Sequence, residues 1–171
     1  TLRAARVVLA AGAWSKRLAA MAGDRVPLDT ERGYHLEYDL PENPLTRQTS
    51  PIARGFFFCP MQGRLRVAGT VELGGLSAPP APHRWAMMDR GARAILPELP
   101  EPSRRWMGFR PSIPDSRPVI GPSRGGADVI HAYGHGHLGL TLAPVTAQMV
   151  LDMVAGRAPM LDPAPYRVDR F

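Results

Sequence analysis

One cysteine, Cys59, stands in 171 residues, so an intramolecular disulfide cannot form and a cysteine-rich zinc site has no ligand set. Such usage leans toward a cytosolic setting. Lysine is equally scarce: the basic side chains are 20 Arg plus Lys16, against 15 Asp and Glu, for a formal charge of +6. The arginines are scattered along the chain without a cluster, which makes a poor phosphate track, and nucleic acid is not an expected partner. No continuous apolar run nears the ~18 residues of a membrane span. Glutamate ends at Glu101, leaving the last 70 residues with aspartate alone as carboxylate. The chain also lacks an opening Met and a leader, and enters an apolar run almost at once, so a piece of a longer protein is expected.

What is present is globular: 44% hydrophobic and 21% charged residues, with 19 Pro and 17 Gly as punctuation. Residues 6–12, RVVLAAG, form a short β-branched run, the pattern of a parallel strand buried on both faces. A short amphipathic helix over 14–21 follows, with Leu18 and Met21 inward and Lys16 and Arg17 outward. Beyond Pro27, Tyr34, Leu36 and Tyr38 alternate with His35, Glu37 and Asp39, the signature of a half-exposed strand. Residues 56–59 and 64–71 read as a hairpin, 84–96 as a helix stopped by Pro97, and 118–121 and 128–133 as strands about a turn at 123–126. Apolar residues cover most of a helix over 141–155, which predicts burial, with Pro144 placed in its first turn. The sum is an α+β chain.

Three segments could carry chemistry. The densest glycine and histidine usage, 131–141 (HAYGHGHLGLT), joins a strand to the apolar helix, and such a turn aims backbone N–H groups and the helix dipole at an anion or electron-rich oxygen. His135 and His137 could instead hold a metal as an HxH pair, or be ordinary loop residues. In 106–121 (WMGFRPSIPDSRPVIG), prolines stiffen a backbone carrying Arg110, suited to bidentate carboxylate recognition unless Arg110 pairs with Asp115 or Glu101. In 9–15 (LAAGAWS), small residues at a strand end admit a close ligand.

VVLAAGAWS, RGYHLEY, RVAGTVEL, GFRPSIPDSRPVIGPS and GHGHLGLTLAPVTAQMV occur in the order found in the FAD-dependent D-amino-acid oxidase and dehydrogenase family. The chain resembles that family, which includes glycine and sarcosine oxidases, over nearly its whole length, and most of all its bacterial D-amino-acid dehydrogenase members. The GHGHLGLTLAP form is also similar to relatives acting on cyclic D-amino acids. The family opens with a strand, a GxGxxG turn and a helix for the FAD pyrophosphate. That opening is absent here, and the run from Gly134 to Gly139 is read as differently spaced from GxGxxG and lies near the other end.

The resemblance implies the C-terminal portion of a two-domain FAD-dependent oxidoreductase. In it, 1–26 belong to the FAD domain, 27–117 to an antiparallel-sheet substrate domain, and 118–171 return to the FAD domain. It implies FAD as cofactor, with Ala10, Ala11, Gly12 and Trp14 at a strand end close to it, and Gly139, Leu140 and Thr141 presenting N–H groups to the flavin. It implies no metal. Arg110 matches the substrate-carboxylate arginine, and His137 falls where relatives place a second side chain over the ring. The implied partners are a small amino-acid substrate, the remaining N-terminal part, and a quinone or electron-transfer protein. The implied location is cytoplasmic or at the inner membrane surface. A non-catalytic interaction subunit and a small HxH metal binder are the rival readings.

Overall fold

The computed structural model describes residues 3–171; Thr1 and Leu2, which open the expected 1–26 segment, lie outside the described residues. The elements are β1 (Val7–Leu9), α1 (Ser15–Met21), β2 (Asp29–Asp39), β3 (Phe56–Met61), β4 (Arg64–Leu73), α2 (Pro82–Arg93), β5 (Arg104–Ser112), β6 (Val119–Ser123), β7 (Gly126–Tyr133) and α3 (Gly139–Val154). The fold is α+β. It divides into two compact units, one of the residues up to Glu31 with Arg110–Phe171, the other of Arg32–Phe109.

The first unit holds a three-stranded sheet ordered β1-β7-β6. β1 runs parallel to β7, with Val7 opposite Val129 and Leu9 opposite His131, while β6 and β7 form an antiparallel hairpin. Its core joins Ala19, Val26, Leu28, Ile113, Val119, Tyr133 and Val168. Beside it lies a buried polar knot. Asp24 accepts hydrogen bonds from Ser123 Oγ at 2.6 Å and Arg124 Nε at 3.0 Å, and contacts His131 Nε2 at 2.7 Å, tying the segment after α1 to the β6–β7 turn. Burial pushes the Asp24 pKa up, but the contacts from Ser123, His131 and Arg124 outweigh it and bring it down to about 2.

Four expectations for this unit are corrected. β1 is short and an edge strand, so Val7 and Val8 are exposed instead of buried on both faces. The inner side of α1 is the small-residue pair Ser15 and Ala19, which allows close packing, while Leu18 and Met21 face outward. The fully buried residues of α3 are Thr146, Met149 and Asp152, and Leu140 (93%) and Leu151 (52%) are exposed. Pro144 is its sixth residue, beyond the first turn, so the carbonyl of Leu140 loses its usual i+4 donor. With the 3-10 turn before it, the segment Gly136–Val154 has 19 residues and mean hydropathy 1.2, long and apolar enough by length and composition to cross a membrane. Here it lies against β6 and β7.

The second unit is built on a sheet ordered β3-β4-β2-β5, with β3 and β4 paired in antiparallel register from Phe56–Gly69 to Met61–Arg64. The strands' alternation sends Tyr34, Leu36, Tyr38, Phe56, Phe58, Leu65 and Val67 to one core, where Met88 and Ala92 of α2 meet them. α2 begins with Pro82 in its first turn and ends at Arg93, short of Pro97, leaving Ile95 exposed. β5 was not foreseen as a strand because prolines crowd its end. As an edge strand it tolerates Pro111, whose missing N–H costs no ladder bond on the open side. Glu37 is buried beside Arg66 (2.6 Å), Arg64 (3.2 Å) and Arg104 (3.2 Å). His35 stacks on Trp106 at 4.9 Å between ring centroids.

Candidate functional site

Because β1 and β7 are parallel, the chain leaves both at the same edge of the first sheet. Two glycine turns therefore share the strands' carboxyl ends, the edge where open α/β sheets take ligands. After β1 come Ala10, Ala11 and Gly12, the last at φ +56, where a Cβ would find no atom within 4 Å. Trp14 is 57% exposed beside them.

The turn after β7 is built by necessity as much as by opportunity. Gly134 has φ +88, and a Cβ there would lie 2.8 Å from Ile113 Cγ1; Gly136 has φ +53. Gly139 is different. Its backbone is right-handed helical, and a Cβ would meet only the Cβ of His135 at an ordinary 3.6 Å. Neither conformation nor packing in the described chain calls for glycine at 139. α3 carries no side-chain cap, and the first-turn N–H groups of a helix suit an anion or electron-rich oxygen. Gly134, Gly136 and Gly139 do keep the GxGxxG spacing, a match the sequence reading passed over. They are not a dinucleotide turn of the βαβ kind, since among the described residues no strand follows α3.

His135 and His137 do not converge. His135 Nε2 lies 2.9 Å from Thr146 Oγ1, with burial lowering its pKa, whereas His137 is exposed with Nδ1 3.7 Å from Glu31 Oε2. Among the described residues no three His, Cys, Asp or Glu groups are placed to hold a metal ion. Both face a cleft of about 250 Å³ lined also by Glu31, Ser112 and Ser116.

Arg110 is half-buried on β5, and its Nη1 is buried with no hydrogen-bond partner. Burial lowers its pKa and the nearby Glu31 carboxylate opposes the fall. Neither suggested structural partner holds it: Asp115 pairs with Arg170 at 2.8 Å, and Glu101 with Arg93 at 3.1 Å. A half-buried guanidinium whose Nη1 makes no hydrogen bond has the capacity to hold a carboxylate there. Tyr133 and Tyr34, considered as pocket residues, are buried in the two cores. Sequence reasoning missed Glu31, which is three residues ahead of the alternation first noticed at Tyr34.

Residues 1–153 match the family of FAD dependent oxidoreductases, and the chain belongs to that family. It is 40% identical over 170 residues to a D-amino-acid oxidase of Bradyrhizobium diazoefficiens, covering 96% of this chain and 40% of the relative. It is 33% identical to a glycine oxidase of Pseudomonas aeruginosa, covering 96% of this chain and 46% of that protein. The chain thus spans less than half the length of these relatives. Among solved structures, glycine oxidase from Geobacillus kaustophilus superposes with a TM-score of 0.83 at 27% identity, over 97% of this chain and 45% of that one. The family's cofactor is FAD.

Proposed function

We propose that the protein carrying this chain oxidises D-amino acids or secondary amino acids at the α-carbon, with FAD as oxidant and an imino acid as product. The observation that carries this reading is Arg110: a buried, unpartnered guanidinium nitrogen on a proline-stiffened strand. It would hold the substrate carboxylate in a bidentate pair and so orient the α-hydrogen. FAD fits the carboxyl edge of the first sheet, where Gly139 leaves space that a side chain would fill. There Ala10, Ala11, Gly12 and Trp14 would line one side, and Gly139, Leu140 and Thr141 would direct N–H groups at it from the other. When bound, FAD would supply the two-electron oxidising chemistry that takes a hydride from the substrate α-carbon. The uncapped N-terminus of α3 would favour negative charge gathering next to it. His137, exposed at the cleft, would stand near the substrate. The separate engagement of His135 and His137 gives the metal-binding reading no support.

Anaerobic mixing of the intact protein with D-amino acids, glycine and sarcosine tests this reading. Bleaching of the oxidised flavin band by at least one of them, with release of ammonia or an amine on hydrolysis, is the expected result. A flavin that none of them reduces would overturn it.

A further inference from the structure

Strand alternation places Arg110 and Ser112 on one face of β5, and Ser112 lines the same cleft as Glu31 of the neighbouring strand β2. Arg110 Nη1 is buried without a hydrogen-bond partner, and the Glu31 carboxylate is near enough to oppose the fall in the Arg110 pKa that burial causes. His137 Nδ1 lies 3.7 Å from Glu31 Oε2, beyond hydrogen-bond distance. The Glu31 side chain is 31% exposed and opens onto the cleft. A carboxylate that opens onto the cleft, and an unpartnered guanidinium nitrogen two residues from Ser112 on the neighbouring strand, match a ligand that carries both charges on either side of one carbon.

We propose that Glu31 is a specificity-determining residue that accepts the cationic amine of an amino-acid substrate, while Arg110 holds its carboxylate. This rests on the amino-acid reading above and extends it: the site takes zwitterions and discriminates against hydroxy acids of the same shape. Ser112, Ser116 and His137 line the cleft together with Glu31.

The test uses two achiral probes that lack an α-hydrogen and so cannot be oxidised, 2-aminoisobutyrate and 2-hydroxyisobutyrate, titrated calorimetrically into the intact flavin-loaded protein. The wild type should prefer the amino acid by about tenfold or more, since a hydrogen bond to a charged group is lost with the hydroxy acid. Glu31→Gln should remove that preference by weakening the amino acid alone, with the hydroxy acid changed less than about twofold, and Glu31→Asp should restore part of it. The ratio is measured on one folded protein, so a change in its stability does not obscure the result. A preference that survives Glu31→Gln overturns the assignment of Glu31. A hydroxy acid bound equally well by wild type and Arg110→Ala, or neither probe bound by the wild type, overturns the amino-acid reading itself.

Discussion

Asp24 shows what a single carboxylate does for this fold. It is fully buried and ionised, held by Ser123, His131 and Arg124, and its pKa is lowered to about 2. A carboxylate whose folded value lies below its unfolded one stabilises the native state above the unfolded value and loses that contribution as pH falls through the folded value. The window is therefore pH 4 down to pH 2, and the contribution is about 2 kcal/mol. Asp24→Asn should cost about 3 kcal/mol at pH 7, because it strands the groups that converge on it, and should flatten the stability loss across that window. Urea unfolding of both proteins at pH 7 and pH 3 checks this; an unchanged acid slope would assign the slope to other carboxylates. Neither the knot nor Glu31 was legible in the sequence, since each joins residues far apart in the chain. Arg110 could be singled out as a candidate, because its proline-flanked setting is local.

At the scale of elements, α3 is the instructive case. Its apolar periodicity located the helix to within two residues, yet the inference of burial failed: residue type reports what a surface prefers and not what covers it. β5 failed for the opposite reason. Its prolines masked an edge strand, whose pairing with β2 no local pattern announces. The N-terminus of α3 carries a prediction of its own. A Cβ at Gly139 is accommodated by the chain, so Gly139→Val should leave the melting temperature of the intact protein within a few degrees while lowering flavin content or shifting its midpoint potential. Absorbance of the bound flavin and a redox titration are the readouts. Unchanged occupancy and potential would place the flavin away from residue 139.

For the whole molecule, the α+β class and the FAD dependent oxidoreductase family were both readable from the ordered motifs, because five segments fall in one order and the last two are specific. The division into units falls at 31/32 and 109/110, and puts Glu31 and Arg110 together in the first. Among the described residues that unit contains a single parallel strand pair, and no βαβ dinucleotide cradle is formed. Residues 1–171 alone should therefore bind FAD weakly, as half of a cofactor site rarely gathers enough contacts to offset the cost of association. A tight, stoichiometric yellow complex of this chain alone would contradict that.

The central claim is that Arg110 is a substrate-binding group and not a structural one. It is tested by one paired measurement on the intact Arg110→Ala protein: anaerobic flavin reduction by the best amino-acid substrate, and thermal unfolding. Truncating one partner of a desolvated charge-assisted pair costs about 2–5 kcal/mol, so kcat/KM should fall by about thirty-fold to several thousand-fold with flavin content and Tm nearly unchanged. Arg110→Lys should recover only part of the loss, because a point charge lacks the planar fork. Normal reduction kinetics in Arg110→Ala would contradict the claim, and normal kinetics with a lowered Tm would make Arg110 a structural residue instead.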